Sequence, residues 1–293
     1  MDHRVVFDFE IDFTNGGGIS GRDFRLDIAG KDIDDRTLAD YLVADMRLLM
    51  VGSVRILGKR IIVERHKRTP IDAPTPSRVV DLSHTIEHGL VTYKGLPAPV
   101  VCDYLSREAS QRVYAPGTEF QIGRIDMVAN TGTYLDTPFH RYPDGEDVSE
   151  VVASRLADLD TIVVRVDPGR RTIGADAFRN LEMRGRAVLV HTGWSAHWNS
   201  ERYFSGHPHL DADAARYLAA CGVGLVGIDS LNIDGTADGA RPVHTTLLGA
   251  GIPIVEHLTA LERVPEEGAT FTALPPKVKG LGTFPVRAVA KIR

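Results

Sequence analysis

The stretch Pro70-Ile71-Asp72-Ala73-Pro74-Thr75-Pro76 constrains this chain more than any other, with three prolines in seven residues. Each proline lacks an amide donor and biases the residue before it toward extended backbone, so neither a helix nor a central strand runs through it. The composition predicts a semi-extended linker over 67–78, separating residues 1–66 from 79–293. For 293 residues, length alone also suggests about two folding units.

On the N-terminal side, Val5, Phe7, Phe9, Ile11 and Phe13 alternate with Val6, Asp8, Glu10 and Asp12. This is the period of a half-buried strand. Asn15-Gly16-Gly17-Gly18 tolerates positive φ and predicts a turn, after which Phe24, Leu26 and Ile28 alternate as a second strand. Asp34 or Asp35 caps a predicted helix whose apolar stripe is Leu38, Leu42, Met46 and Leu49, and Val54 to Val63 returns to strand composition. The reading is a small ββαβ module. It carries no nucleophile, metal cluster or phosphate loop, and its expected role is structural: docking, dimerisation or covering a site.

Composition excludes several classes of function. Lys and Arg number 34 against 39 Asp and Glu, a net charge of −5 that argues against nucleic acid. No run approaches the ~18 apolar residues of a membrane span. The opening MDHRVVFDFEIDF alternates charge with apolar residues, unlike the continuous apolar stretch of a secretory signal. Two cysteines without CxxC spacing, Cys102 and Cys221, point to neither a disulfide framework nor a thiolate zinc site. The expectation is a soluble cytoplasmic protein that handles a small molecule.

Beyond the linker, Val79–Ser83, Ile162–Val166, Ala187–His191 and Gly224–Ile228 are short Val- and Ile-rich runs, predicted as interior strands of an α/β or α+β fold. Asp211–Cys221 reads as a helix, Thr245–Gly251 as a shorter one and Ile252–Val255 as a strand. Ionisable residues gather in three blocks: Asn130 to His140, which holds Asp136 and His140; Gly227 to Asp234, which holds Asp229; and Arg241 to Glu256, which holds His244. Taken singly, each has a plain structural alternative. Asp136 and His140 can form a local hydrogen bond, Asp229 can cap a turn, His244 can cap its helix or pack, and Glu256 can end a solvated strand.

Together these blocks resemble the cyclase family of metal-dependent hydrolases, which includes bacterial kynurenine formamidase and isatin hydrolase. The resemblance covers residues 79–292. It runs from Asp81-Leu82-Ser83-His84-Thr85-Ile86 and Thr92-Tyr93-Lys94-Gly95 through His191-Thr192-Gly193-Trp194, Tyr203-Phe204 and His207-Pro208. It ends with Gly227-Ile228-Asp229-Ser230, His244-Thr245-Thr246-Leu247-Leu248 and Glu256. It implies a swivelling β/β/α fold, a homodimer or homotetramer, and hydrolysis of a carbon–nitrogen bond. The family motif HxGTHxDxPxH appears here as Asn130-Thr131-Gly132-Thr133-Tyr134-Leu135-Asp136-Thr137-Pro138-Phe139-His140. Asp136 and His140 match, whereas Asn130 and Tyr134 replace two ligand histidines.

An amide oxygen is a weak donor to Zn or Mn, and a phenol ligates well only when deprotonated. The resemblance therefore implies a single divalent ion, Zn or Mn, on Asp136, His244 and Glu256, activating a water for attack on an amide, formamide or lactam. His140 would protonate the departing nitrogen and Tyr134 would donate to the carbonyl oxygen, while Asn130, Trp194, Asp229 and Arg141 bind substrate. Two alternatives stay open. One is a metal-independent lyase, isomerase or cyclase using Asp136, Glu256 and His140 for proton transfer. The other is a non-catalytic binding protein on the same fold.

Overall fold

A computed structural model describes residues 2–28, 30–64, 78–237 and 239–293. The chain divides into two units, Met1–Pro76 and Ser77–Arg293. Apart from Arg78, the proline-rich stretch expected as a linker lies outside the described residues.

The first unit contains β1 (Asp2–Phe13), β2 (Gly18–Ile28), α1 (Asp35–Asp45) and β3 (Val51–Glu64), with the strands in the antiparallel order β2-β1-β3. Alternation along β1 puts Val5, Phe7, Phe9 and Ile11 into one core with Leu26, Leu38 and Leu42. Asp34 caps α1, its Oδ1 accepting from the amides of Arg36 and Thr37. The expected stripe runs one residue too far. The helix ends at Asp45, Arg47 takes φ 52°, and Leu49 is left 83% exposed.

The second unit contains β4 (Arg78–Asp81), β5 (Val100–Leu105), α2 (Arg107–Ser110), β6 (Ile122–Asp126), β7 (Tyr134–Asp136), β8 (Leu159–Arg165), β9 (Thr172–Ile173) and β10 (Ala187–His191). It continues with β11 (His209–Leu210), α3 (Ala212–Cys221), β12 (Leu225–Ile228), α4 (Pro242–Gly249), β13 (Ile254–Glu256), β14 (Ala269–Thr272), β15 (Thr283–Pro285) and β16 (Val289–Ile292). Nine strands form one sheet in the order β15-β7-β13-β12-β10-β8-β14-β16-β4. Its centre, β8, β10, β12 and β13, is parallel and buried, as the Val- and Ile-rich runs predict. This is the mixed α+β architecture expected from the sequence.

Each face of the sheet has its own core. Val188, Val190, Val226 and Ile228 pack against Ala214, Ala215 and Leu218 of α3 and Val243 and Leu247 of α4. Leu135, Leu189, Leu225 and Val255 pack on the opposite face with Leu258 and Phe271. Full burial of each such side chain contributes roughly 1.5–3 kcal/mol. Strands β5 and β6 stand apart as a two-stranded ribbon on which Val100, Val101, Tyr104, Ile122 and Ile125 are exposed.

Candidate active site

Strand register assembles the site. In the β13–β7 pair Glu256 lies opposite Tyr134 and Ile254 opposite Asp136; in the β15–β7 pair Thr283 lies opposite Asp136. Directly opposed residues share a face. Leu135 and Val255 therefore enter the core on one side, and Tyr134, Asp136, Glu256 and Thr283 converge on the other. Two glycines permit the close approaches. Gly132 has φ 67°, and a Cβ there would meet Ile86 Cγ1 at 2.8 Å. A Cβ on Gly282 would collide with the backbone of His140.

Asp136 is fully buried. Its Oδ1 accepts from the Thr283 hydroxyl, while its Oδ2 is buried with no hydrogen-bond partner. The atom facing that oxygen is His244 Nε2 at 3.6 Å, too far for a hydrogen bond. Burial opposes ionisation of Asp136, but His244, His140 and Thr283 together hold the carboxyl below its usual range.

His244 is oriented by Asp234. That carboxylate accepts the amides of Val243 and His244 at the start of α4, and its Oδ2 lies 2.7 Å from His244 Nδ1. Nδ1–H is therefore the donor, and Nε2 is directed between Asp136 and Glu256, whose Oε1 is also 3.6 Å away. Burial disfavours charge on His244. The nearby carboxylates of Asp136 and Glu256 and the hydrogen bond to Asp234 outweigh it, raising its pKa to about 10. Glu256 moves the other way for a carboxyl: desolvation, helped by the charge of Asp136 and opposed by His244, lifts it to about 7.

These donors fit a divalent cation. His244 Nε2 lies 3.6 Å from both Asp136 Oδ2, a buried oxygen without a donor, and Glu256 Oε1, a mixed oxygen and nitrogen set of the kind that suits Zn or Mn. Glu256 Oε1 accepts the Ile233 amide at 2.6 Å and Oε2 the Tyr134 hydroxyl at 2.7 Å, which leaves each oxygen a further lone pair. Among the described residues, one group of three offers ligand atoms all within 4.8 Å of one another: Asp136, His140 and His244. His140 thus stands beside the ion position as well as beside the reaction space.

Hydrogen bonding also sets the His140 tautomer. The one hydrogen of the Thr283 hydroxyl goes to Asp136, so His140 Nδ1, 2.8 Å from that hydroxyl, must donate. Nε2 keeps its lone pair. His140 is about one-third exposed (36%) where Asp136 is sealed, so it is the member of the group that solvent and substrate can reach.

Tyr134 behaves differently from expectation. Its hydroxyl proton is committed to Glu256 Oε2. Burial, reinforced by Glu256, pushes the phenol well above its usual pKa. A neutral phenol with its only donor taken braces Glu256 and is not placed to donate to a substrate carbonyl. Behind it lies a chain the sequence did not reveal. Tyr203 Oη is 2.9 Å from His257 Nδ1, and His257 Nε2 is 3.3 Å from Tyr134 Oη. With Tyr134 donating to Glu256, the consistent assignment has His257 Nε2–H donating to Tyr134 and Tyr203 donating to Nδ1. Burial lowers the His257 pKa to about 3, which keeps the ring neutral.

A cavity of about 270 Å³ opens onto this face, lined by Tyr93, Leu96, Asn130, Tyr134, His140, Asn232, Arg241, His244 and Glu256. Arg141 borders an adjoining cavity of about 380 Å³. Two residues expected to bind substrate lie elsewhere. Asp229 Oδ1 accepts the amide and hydroxyl of Thr192 and its Oδ2 the amide of Gly193, so the carboxylate is consumed in holding the loop after β10. Trp194 follows that loop, its indole donating to the Tyr203 carbonyl, and lines a different cavity with Arg170 and Arg202.

A family model described as "Putative cyclase" matches residues 80–235. The kynurenine formamidase of Bacillus cereus is 30% identical over 224 residues, spanning 73% of this chain and 98% of that protein. This chain belongs to the cyclase family. Its kynurenine formamidase relative from Geobacillus thermodenitrificans is 31% identical over 179 residues, 58% of this chain and 79% of that one. A solved "potential metal-dependent hydrolase with cyclase activity" superposes with TM-score 0.62 at 28% identity, over 74% of this chain and 98% of that chain. Isatin hydrolase A from Labrenzia aggregata, bound to benzyl benzoate, shares the fold with TM-score 0.64 at 20% identity, over 74% and 94% of the two chains. Within this cyclase-family frame, Thr283, Asp234, His257 and Tyr203 join the motif residues Asp136 and His140 at one site.

Proposed function

We propose that the protein hydrolyses the carbon–nitrogen bond of a small amide, formamide or lactam, with one divalent ion, Zn or Mn, held by Asp136, His244 and Glu256. The observation that carries this reading is Asp136 Oδ2, a buried carboxylate oxygen that accepts no hydrogen bond and faces His244 Nε2. Left unpaired, such an oxygen is costly; facing a cation, it is a ligand. When bound, the ion supplies charge to polarise the scissile carbonyl and acidifies a water at neutral pH.

The chain's own residues do the rest. His140 Nε2, with Nδ1–H held by Thr283, accepts the proton released as water adds to the carbonyl and delivers it to the departing nitrogen. The Asp136 carboxylate, 3.8 Å from His140 Nδ1, stabilises the imidazolium formed between these steps. Tyr134 and the neutral His257 hold Glu256 in place.

Turnover of formanilide-type amides before and after thorough chelation tests the proposal. Loss on chelation and recovery with added Zn or Mn is expected; full activity in chelated protein would refute it. One observation favours a second reading, metal-free proton transfer by Asp136, Glu256 and His140: Glu256, at about 7, can both take and give a proton near neutrality.

The reading extends to a cytoplasmic homodimer or homotetramer acting on a small molecule. Among the described residues no helix is long and apolar enough to cross a membrane. The apolar side chains exposed on the β5–β6 ribbon support self-association, because an isolated two-stranded ribbon is marginal in water. Ile125→Asp should shift sedimentation toward the monomer.

A further inference from the structure

We propose that the cavity beside the reaction space is a carboxylate subsite, so that the preferred substrate is an amide or lactam bearing a free carboxylate and no neighbouring ammonium group. This rests on the hydrolytic reading above. The two cavities, about 270 and 380 Å³, share His140, Asn232, Arg241 and His244 in their walls. A ligand whose scissile carbonyl lies against His140 therefore extends directly into the outer one.

The outer wall carries Arg141 and Arg241, and among the described residues no Asp or Glu lines it. Several arginines of the same unit are neutralised in place. Arg155, Arg170, Arg186, Arg287 and Arg293 each pair with a carboxylate within 3.2 Å. Arg141 makes no ion pair with any described residue. Its Nε donates to Thr245 Oγ1 at 3.3 Å, and its guanidinium carbon sits 5.4 Å from the centre of the Tyr142 ring. That ring is pinned in turn, Tyr142 Oη donating to the Thr245 carbonyl at 2.8 Å. The guanidinium is thus held from two sides while its terminal nitrogens make no hydrogen bond to described residues, the arrangement that receives a carboxylate bidentately.

Asn232 adds a neutral donor. Its Oδ1 accepts the Asp234 amide at 2.9 Å, so the amide NH₂ is the end that remains for a ligand. Arg241 fixes the junction of the two cavities by donating to the carbonyls of Gly235 and Ala240. The Arg141 guanidinium beside the Asn232 amide attracts carboxylate and repels ammonium.

The test uses the full-length protein with its metal and compares N-formylanthranilate with its methyl ester. The acid should be favoured about tenfold or more in kcat/KM, with the difference residing in KM. Arg141→Gln should bring the ratio toward one, and Arg141→Lys, which keeps charge without the fork, should give an intermediate value. Equal kcat/KM for acid and ester in the unaltered protein, or a ratio unmoved by Arg141→Gln, would overturn the subsite. Benzoate titrated calorimetrically gives a readout independent of turnover. Saturable binding that weakens about tenfold in Arg141→Gln supports the subsite even if neither amide is hydrolysed, an outcome that would count against the hydrolytic reading alone. Equal benzoate affinity in both proteins contradicts it.

Discussion

Asp136 and Asp229 are both fully buried, both stand at strand ends of one sheet, and both have a histidine within 4 Å. Their surroundings differ in one respect. Asp229 meets three donors from Thr192 and Gly193, and nothing is left over. Asp136 meets one, from Thr283, and its second oxygen faces an imidazole across a gap. A buried carboxylate surrounded by backbone donors fastens a loop; one with an unpartnered oxygen is left available to a cation.

The sharpest way to break this comparison is to neutralise each acid in turn. Asp136→Asn should lower turnover about a thousandfold or more and strip the bound metal, with modest change in stability. Asp229→Ala should do the reverse. Three donors lose their partner, unfolding free energy falls by about 3 kcal/mol, and metal per chain is retained, as denaturant titration and elemental analysis would report. If Asp229→Ala released the metal while Asp136→Asn kept it, the assignment of roles would be inverted.

Asp234 sharpens the picture one step out. It touches His244 Nδ1 and not the ion position, so Asp234→Asn should weaken metal binding about 10–100-fold without changing stoichiometry.

The most gradual effect concerns His257. Its pKa falls from 6.5 to about 3 on folding, because burial disfavours the charged ring. The unfolded chain therefore gains a proton below pH 6.5 that the folded protein refuses. Its contribution to stability is complete above that pH and is lost as pH falls toward 3. The expected slope is about 1.4 kcal/mol per pH unit for this one group, and His257→Gln should flatten the acid side of the stability profile by that amount.

Much of this was legible in the sequence because it is local. The alternation in β1, the Val-rich interior strands and the Asp211-capped helix α3 need only short-range pattern. Asp136, His140, His244 and Glu256 sit in recognisable blocks. What the sequence hid comes from register. Thr283 reaches Asp136 across 147 residues from a three-residue strand with no period of its own. His257 is turned into the core by a left-handed backbone, φ 56°, immediately after Glu256. Trp194 and Asp229 lie beside matched motifs, which suggested contact with substrate, yet the loop they stabilise leads to another cavity.

The proposed ion lies against Asp136 Oδ2, His244 Nε2 and Glu256 Oε1. Anomalous diffraction from crystals of protein purified without chelator, collected at the Zn and Mn edges, examines it directly. A single peak within bonding distance of those three atoms, one per chain, is the predicted result. Their closure onto one another with no peak, in crystals of protein that still turns over its substrate, would contradict it.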